Sequence, residues 1–419
     1  MHVTYIGHAA ILIEAGGTRI LMDPWLNDPT YHGTWWHFPP LVHTPRTLPK
    51  FDYLYISHEH PDHFDPPTLT HLPKNVRIII ANFKRKRFRD RIRALGFEDV
   101  TELDFGRELA CGNSGLRLQL IAPDRPWDDS AILLQHGGVT VLNVNDCHLD
   151  DATLSSLGER YSIDLAFLTF TGASQYPGCF DFPIASKIER WRQSKESHLE
   201  EFVSWARLLR TRRAVPAAGN YALLARDQLF LNTSHYVATP ADAIQALRRV
   251  APEIEGLQMN PGDEWTPEGG HKRLNPPPDW RRRIEEVERL SEAMAPRVTE
   301  YFAGEPEAPA DLYDRFYSYF TGLMNGDPTI PKRVGICTWW HVTGPAGGDW
   351  TIDFTREHDW VRRGAPDNWS LRLAIPDRLV HKGVAGLGNW EDLILSFRVR
   401  LSRRPDRYMK DFWTWFCKL

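Results

Sequence analysis

Residues 55–65 read YISHEHPDHFD, and they place three histidines (His58, His60, His63) and three acids (Glu59, Asp62, Asp65) within eleven positions. The cluster directly follows DYLYIS, a mostly apolar run that reads as a strand buried on both faces. Asp65 followed by Pro66 has the form of a helix N-cap and a first-turn proline. The charged segment is therefore expected in a loop between a buried strand and a capped helix. Imidazole and carboxylate are the ligands of zinc, iron or manganese, and a metal needs three or more of them converging from rigid elements. One loop cannot close such a site. The further ligands must come from other strand ends, and the chain offers His8 in YIGHAA, Asp23 in LMDPWL and Asp146 in LNVNDCH.

The rest of the chain bounds what such a loop could serve. At 419 residues it predicts two domains or one elaborated domain. A net charge of -4 gives no global argument for nucleic acid or an anionic membrane surface. The five cysteines are odd in number and widely scattered, which fits reduced thiols in a cytoplasmic protein better than a disulfide framework. The N-terminus reads as a strand from its first residues, with no leader pattern, and no window approaches the roughly 20 apolar residues of a membrane span. A Walker loop, a G-x-G-x-x-G or G-x-S-x-G motif and a nucleic-acid module are all missing from these residues.

Short strands interleaved with helices are expected over residues 1–268, and an α+β region over 269–419. ILIEAGGTRILMDP reads as a hairpin turning at Gly16-Gly17, and AILLQHGGVTVLNVND as a second turning at Gly137-Gly138. A basic helix is expected to end at Gly96, a long helix to run from about 184 to 213, and a charged helix to reach about Phe302. Beyond it, WTIDF, WSLRLAIP and LILSFRVRL read as alternating segments in an aromatic-rich region, expected to pack on the first domain.

Several further residues have two readings. APDRPWDDSAILL offers Asp124, Asp128 and Asp129 just before the second hairpin; Asp129 is either a metal ligand or a group supporting one, or it simply caps the strand. His148 and His235 are each a late ligand or a polar loop residue. FKRKRFRDRIRALGF is a solvated basic face or a dock for an acidic partner. HGTWW (32–36) and GASQYPGCFDF (172–182) are substrate loops or core-covering aromatics.

The histidine motif, with the hairpin before it, resembles the metallo-β-lactamase superfamily, an αββα sandwich whose strand-end loops hold one or two metals. More narrowly, VTYIGHAAILIE, ILMDPWL, YLYISHEHPDHFD, VLNVNDC and the late NWEDLILSFRVRLSRRPDRYMKDFWTWF are similar to the CMP-N-acetylneuraminate hydroxylase family and its bacterial relatives. That resemblance covers nearly the whole chain. It implies His58, His60, Asp62, His63 and Asp146 as metal ligands, with His8 and Asp23 lining or supporting the site. Those hydroxylases carry a Rieske domain, whose cluster needs paired Cys and His ligands. No cysteine here lies in such a pair, so electrons would come from a separate, ferredoxin-like protein.

The resemblance thus implies a non-haem, one- or two-iron oxygenase that hydroxylates or oxidises a small polar substrate, with Asp62, His8 and Asp23 in its catalytic machinery. The extra carboxylates tilt the expected metal toward iron, with zinc or manganese as alternatives. The second expectation is a lactonase- or phosphodiesterase-type hydrolase that uses a metal-bound water. A metal-stabilised interaction protein is the third.

Overall fold

The computed structural model describes residues 1–233 and 237–419; His235 lies outside the described residues. The chain divides into two compact units. The first comprises 1–30, 35–172 and 191–292, and the second 31–34, 173–190 and 293–419.

The first unit contains two large sheets and a two-stranded one that pairs Trp35–His37 with Tyr221–Leu223. The larger is eight-stranded, in the order Gly270–Lys272, Glu264–Thr266, His2–Gly7, Ala10–Ala15, Thr18–Met22, Tyr53–Tyr55, Arg77–Ala81, Val100–Leu103. The other is seven-stranded, in the order Glu255–Gly256, Arg213–Ala217, Leu165–Thr169, Val139–Asn143, Ala131–His136, Arg117–Ile121, Glu108–Ala110. Side-chain alternation in the second sheet makes the layers. Ile132, Leu134, Leu165, Phe167 and Val215 join the core shared with the first sheet. Their neighbours Ala131, Leu133, Ala166, Leu168 and Ala214 join a separate core with Phe202, Ala206, Ala243 and Leu247 of the helices Ile184–Leu208 and Pro240–Val250. A strand's period of two cannot serve both layers with one face, so both faces of this sheet are apolar.

Turn chemistry sets the register. Gly16 and Gly17 have φ of 57° and 79°, and Gly137 and Gly138 have 57° and 82°. Each pair closes a two-residue hairpin, pairing Ala15 with Thr18 and His136 with Val139. Asp65 caps the helix Pro66–His71 by accepting from the Thr68 backbone N–H.

Residues 269–292 pack with the first unit, although the sequence assigns them to the C-terminal region. The buried Arg283 donates to the carbonyls of Asn232 and Tyr221, and Ser291 donates to the carbonyl of Leu224. The long helix stops at Leu208, short of the expected 213, and Arg213–Ala217 becomes a strand.

The second unit is built on a five-stranded sheet, in the order Val361–Arg363, Gly348–Asp353, Cys337–Thr343, Leu371–Pro376, Arg400–Arg403. LILSFRVRL is not one strand. Asn389 accepts from the Asp392 N–H and starts the helix Trp390–Leu395, leaving only Arg400–Arg403 extended. The closing helix Lys410–Phe416 buries Phe412, Trp413, Trp415 and Phe416. No helix among the described residues is long and apolar enough to cross a membrane.

Candidate metal centre

Parallel strands deliver the site to one edge of the first sheet. Thr18–Met22 runs parallel to Tyr53–Tyr55, so Asp23 and the segment beginning at Ser57 leave adjacent strand ends on the same side. The Asp23 N–H donates to the Tyr55 carbonyl (3.0 Å), which locks those ends together. In the other sheet Val139–Asn143 runs parallel to Leu165–Thr169, and Asp146 lies three residues beyond its end. Loops outside the carboxyl ends of parallel strands are where open α/β sheets gather their ligands.

Backbone strain marks these positions. His8, Asp23, Asn145 and Ala218 all have left-handed backbones, with φ of 51°, 40°, 53° and 55°. Such conformations persist in non-glycine residues only where the surroundings enforce them. At His8 the carbonyl accepts from the Tyr5 hydroxyl (2.7 Å) and from the Ala218 N–H (3.1 Å).

The donors form two overlapping groups that share His63: His8, Asp62 and His63, and His58, His63 and Asp146. His8 Nε2 is 2.9 Å from Asp62 Oδ2. His63 Nε2 stands 3.7 Å from Asp62 Oδ2 and 3.4 Å from Asp146 Oδ2. The first of these separations exceeds a hydrogen bond and the second is long for one. They match two ligand atoms on one small cation, which stand about 3.4 Å apart when each bond is about 2.0–2.1 Å and the angle tetrahedral. His60 joins at His58, its Nδ1 lying 2.8 Å from His58 Nε2.

An outer layer orients these rings. Ser57, which the sequence reading passed over, is its centre. Its hydroxyl donates to Asp23 Oδ2 (2.8 Å) and lies 2.9 Å from His58 Nδ1 and 3.3 Å from His63 Nδ1. Asp23, fully buried, also lies 3.0 Å from His63 Nδ1. With Nδ1 engaged there, Nε2 of His63 faces the carboxylates. Asp129 stands in the same relation to His58, 3.3 Å from Nδ1, and accepts from the Ser130 N–H. It is outside both ligand groups. The only sequence signal for Ser57 is its position beside the motif.

The electrostatics are one-sided. Burial opposes charge on His63, yet Asp62, Asp146 and Asp23 hold its imidazolium form well above the ordinary range. Burial alone would raise the Asp62 carboxyl; the His63 charge and the hydrogen bond with His8 overcome it and hold it far below the usual range. Asp146 is lowered in the same way by His63 against its own desolvation, although 35% of its side chain remains exposed. Three carboxylates thus converge on one ring. The residues fit a cation: the Nε2 of His63 and the Nδ1 of His8 are buried with no hydrogen-bond partner. A bound metal would satisfy the first of these and replace the proton that His63 otherwise carries.

Other expected residues lie elsewhere. His148 turns to Asp124 (2.9 Å) and Glu201 (3.4 Å). In the HGTWW segment Trp35 stacks on Tyr221 (3.6 Å) and lies 6.5 Å from the His8 ring. Phe180 and Phe182 of the 172–182 loop stack on each other at 5.4 Å, with Arg403 over both. The basic helix, Arg87–Ala94, is largely neutralised. Arg91 donates to Glu59 Oε2 (2.5 Å) and Arg87 lies 3.8 Å from it, so two of its charges hold the residue between His58 and His60. Lys86 and Arg89 pair with Glu102.

Residues 2–154 match the family profile described as a β-lactamase superfamily domain. A Mycolicibacterium smegmatis protein, described as a Rieske 2Fe-2S iron-sulfur protein, is 31% identical over 406 residues, covering 91% of this chain and 77% of its own length. The chain belongs to the metallo-β-lactamase superfamily. Similarly described Mycobacterium tuberculosis proteins are 32% identical over 241 residues, and there the match spans 46% of the relative's length. The cytidine monophosphate-N-acetylneuraminic acid hydroxylase of Asterias rubens is 24% identical over 99% of this chain and 64% of its own. Among solved structures, the Streptomyces venezuelae diiron β-hydroxylase CmlA overlaps at a TM-score of 0.43 with 17% identity, covering 65% of this chain and 54% of that one.

Proposed function

We propose that this protein is a non-haem iron oxygenase that hydroxylates or oxidises a small polar substrate. The observation that carries the reading is His63 Nε2, buried without a hydrogen-bond partner and facing Asp62 and Asp146. Mixed imidazole and carboxylate donors suit iron. The likeness to named hydroxylases along 99% of the chain supports oxygen chemistry over hydrolysis.

In this reading His58, His60, His63 and Asp146 hold one iron, and Asp62 with His8 borders a second position. Iron bound there supplies dioxygen activation. The chain's own residues set its surroundings. Asp23 and Ser57 keep His63 in the tautomer whose Nε2 lone pair faces inward, and Asp129 and Ser57 do the same for His58. Trp25 packs edge-on against His8 at 5.2 Å and excludes water from that side. His8, hydrogen-bonded to Asp62, is placed to hold or return a proton at Asp62 Oδ2.

Inserting one oxygen atom from dioxygen needs two external electrons. These 419 residues contain no Cys–His pair of the Rieske kind, so the electrons arrive from an iron–sulfur carrier outside them. The docking face is narrower than the basic run suggests: Lys84, Arg85 and Arg93 are exposed and have no ion pair among the described residues.

The test is to load anaerobic protein with ⁵⁷Fe and expose it to oxygen with a chemical reductant. Mössbauer conversion of ferrous to ferric iron, with oxygen uptake in proportion to iron, is expected. Cleavage of lactone or phosphodiester substrates with no oxygen uptake would replace this reading with the hydrolase.

A further inference from the structure

The second unit holds a buried group of charges that does not balance. Glu305 Oε1 accepts from Lys382 Nζ and from Arg398 Nη1, both at 2.6 Å, and Oε2 accepts from Arg398 Nη2 at 2.8 Å. Two cations therefore face one carboxylate. The side chain of Lys382 is 9% exposed and that of Glu305 3%. Lys382 donates to Glu305 alone among the described residues, so two of its three N–H donors have no protein acceptor. A desolvated ammonium with unused donors is costly unless a further anion completes it. Arg398 is better provided for: its guanidinium forms the two-pronged pair with Glu305 and lies 4.7 Å from the Phe302 ring.

His32 sits against this pair. Its carbonyl accepts from Arg398 Nη1 (3.4 Å), and its ring lies on the backbone of Gly388, where a Cβ would come within 2.8 Å of it. The ring has no hydrogen-bond partner among the described residues. Burial, with the Lys382 and Arg398 charges adding, lowers the imidazole from 6.5 to about 3, so at neutral pH it is an uncharged donor. The backbone that presents it is strained. Tyr31, His32 and Gly33 have successive φ of 44°, 55° and 94°. Gly33 is tightly enclosed, since a Cβ there would fall 2.3 Å from the Tyr301 ring. Consecutive left-handed residues with side chains are held only by surroundings that enforce them, and they cluster at ligand clamps.

We propose that Lys382, His32 and Arg398 form a binding site for one anionic group, a carboxylate or a phosphate. Lys382 and His32 supply the unused donors, and Glu305 positions Arg398 and Lys382 while cancelling only one of their charges. The site stands on these residues and does not depend on the metal reading.

The experiment is thermal unfolding of the full chain in sodium acetate and, separately, in inorganic phosphate, with ionic strength held constant by sodium chloride. A saturable rise in unfolding temperature with one or both anions is expected, with a dissociation constant on the order of millimolar. The stronger of the two responses tells carboxylate from phosphate. Lys382→Met, which keeps the apolar stem, should weaken binding by about tenfold or more. His32→Asp supplies a fixed carboxylate in a residue type that tolerates the left-handed backbone. It should abolish the anion response even if Lys382→Met fails to fold. No saturable response in the wild type, or an undiminished response in the folded variants, overturns the proposal.

Discussion

Two regions of this molecule bury charge that the chain does not balance, and they do so with opposite sign. In the first unit Asp23, Asp62 and Asp146 converge on His63, at 3.0, 3.7 and 3.4 Å. In the second, Lys382 and Arg398 converge on Glu305, both at 2.6 Å. The difference lies in the spacing. Around Glu305 the contacts are hydrogen-bond length, so the triad is assembled already and has spare donors. Around His63 the two inward distances are longer than good hydrogen bonds and suit atoms that share an ion. One region calls for a cation at its centre, and the other for an anion at its edge.

Both clusters depend on apolar packing that keeps water out, and the largest expected effect comes from removing that packing. Deleting 405–419 strips Phe412, Trp413, Trp415 and Phe416 from the second unit. Losing four large buried aromatics costs more than a domain's usual margin of about 5–15 kcal/mol. The truncated chain should be recovered as aggregate by size-exclusion chromatography, and a monodisperse product would show that the second cluster's surroundings stand without this helix.

The next effect concerns the cation region alone. Asp23→Asn keeps the shape but removes the charge behind His63 Nδ1, and metal affinity in chelator competition should fall about 10–100-fold. Glu305→Gln, as the matched change in the other region, should leave metal affinity untouched.

A smaller effect separates the two regions by pH. His32 has its folded-state pKa lowered to about 3, chiefly by burial. The unfolded chain therefore binds a proton that the folded chain refuses between about pH 6.5 and pH 3. Stability from this group is complete above the unfolded value and is lost as pH falls through that window. His32 is only partly buried, so the loss is about 1–2 kcal/mol between pH 7 and pH 4.5, less than the full shift implies. Urea unfolding of wild type and His32→Asn at both pH values measures it; equal pH slopes would remove His32 from the account.

The smallest effect is at the surface. Changing Lys84, Arg85 and Arg93 to glutamate should slow reduction by an acidic iron–sulfur carrier several-fold at low salt, with little change at high salt. Reduction rates that ignore salt in both proteins would move the docking face elsewhere.

How much of this was legible in the sequence follows from how local each feature is. The two glycine-pair hairpins and the Asp65 cap were legible, because turn and cap chemistry lies within a few residues. So was the crowding of His58, His60, Asp62 and His63, with His8, Asp23 and Asp146 as strand-end candidates that the fold brings beside them. Ser57 was not, since its hydroxyl matters only once Asp23, 34 positions away, arrives beside it. Glu305 meets Lys382 and Arg398 across 77 and 93 positions, with no pattern to announce it. The basic helix was legible as basic, but Glu59 and Glu102 neutralise much of it from other loops and strands. In LILSFRVRL the Asn389 cap outweighs the β-like alternation.

The central claim is that the carboxylates around His63 await a metal that belongs to oxygen chemistry. Elemental analysis of protein purified without oxygen, compared with His63→Ala purified in the same way, tests it most directly. The account predicts iron at about one to two ions per chain in the wild type and a trace in the variant, with both giving the same far-ultraviolet circular dichroism. Wild-type protein free of iron, or a His63→Ala protein that keeps its full metal content, would contradict it.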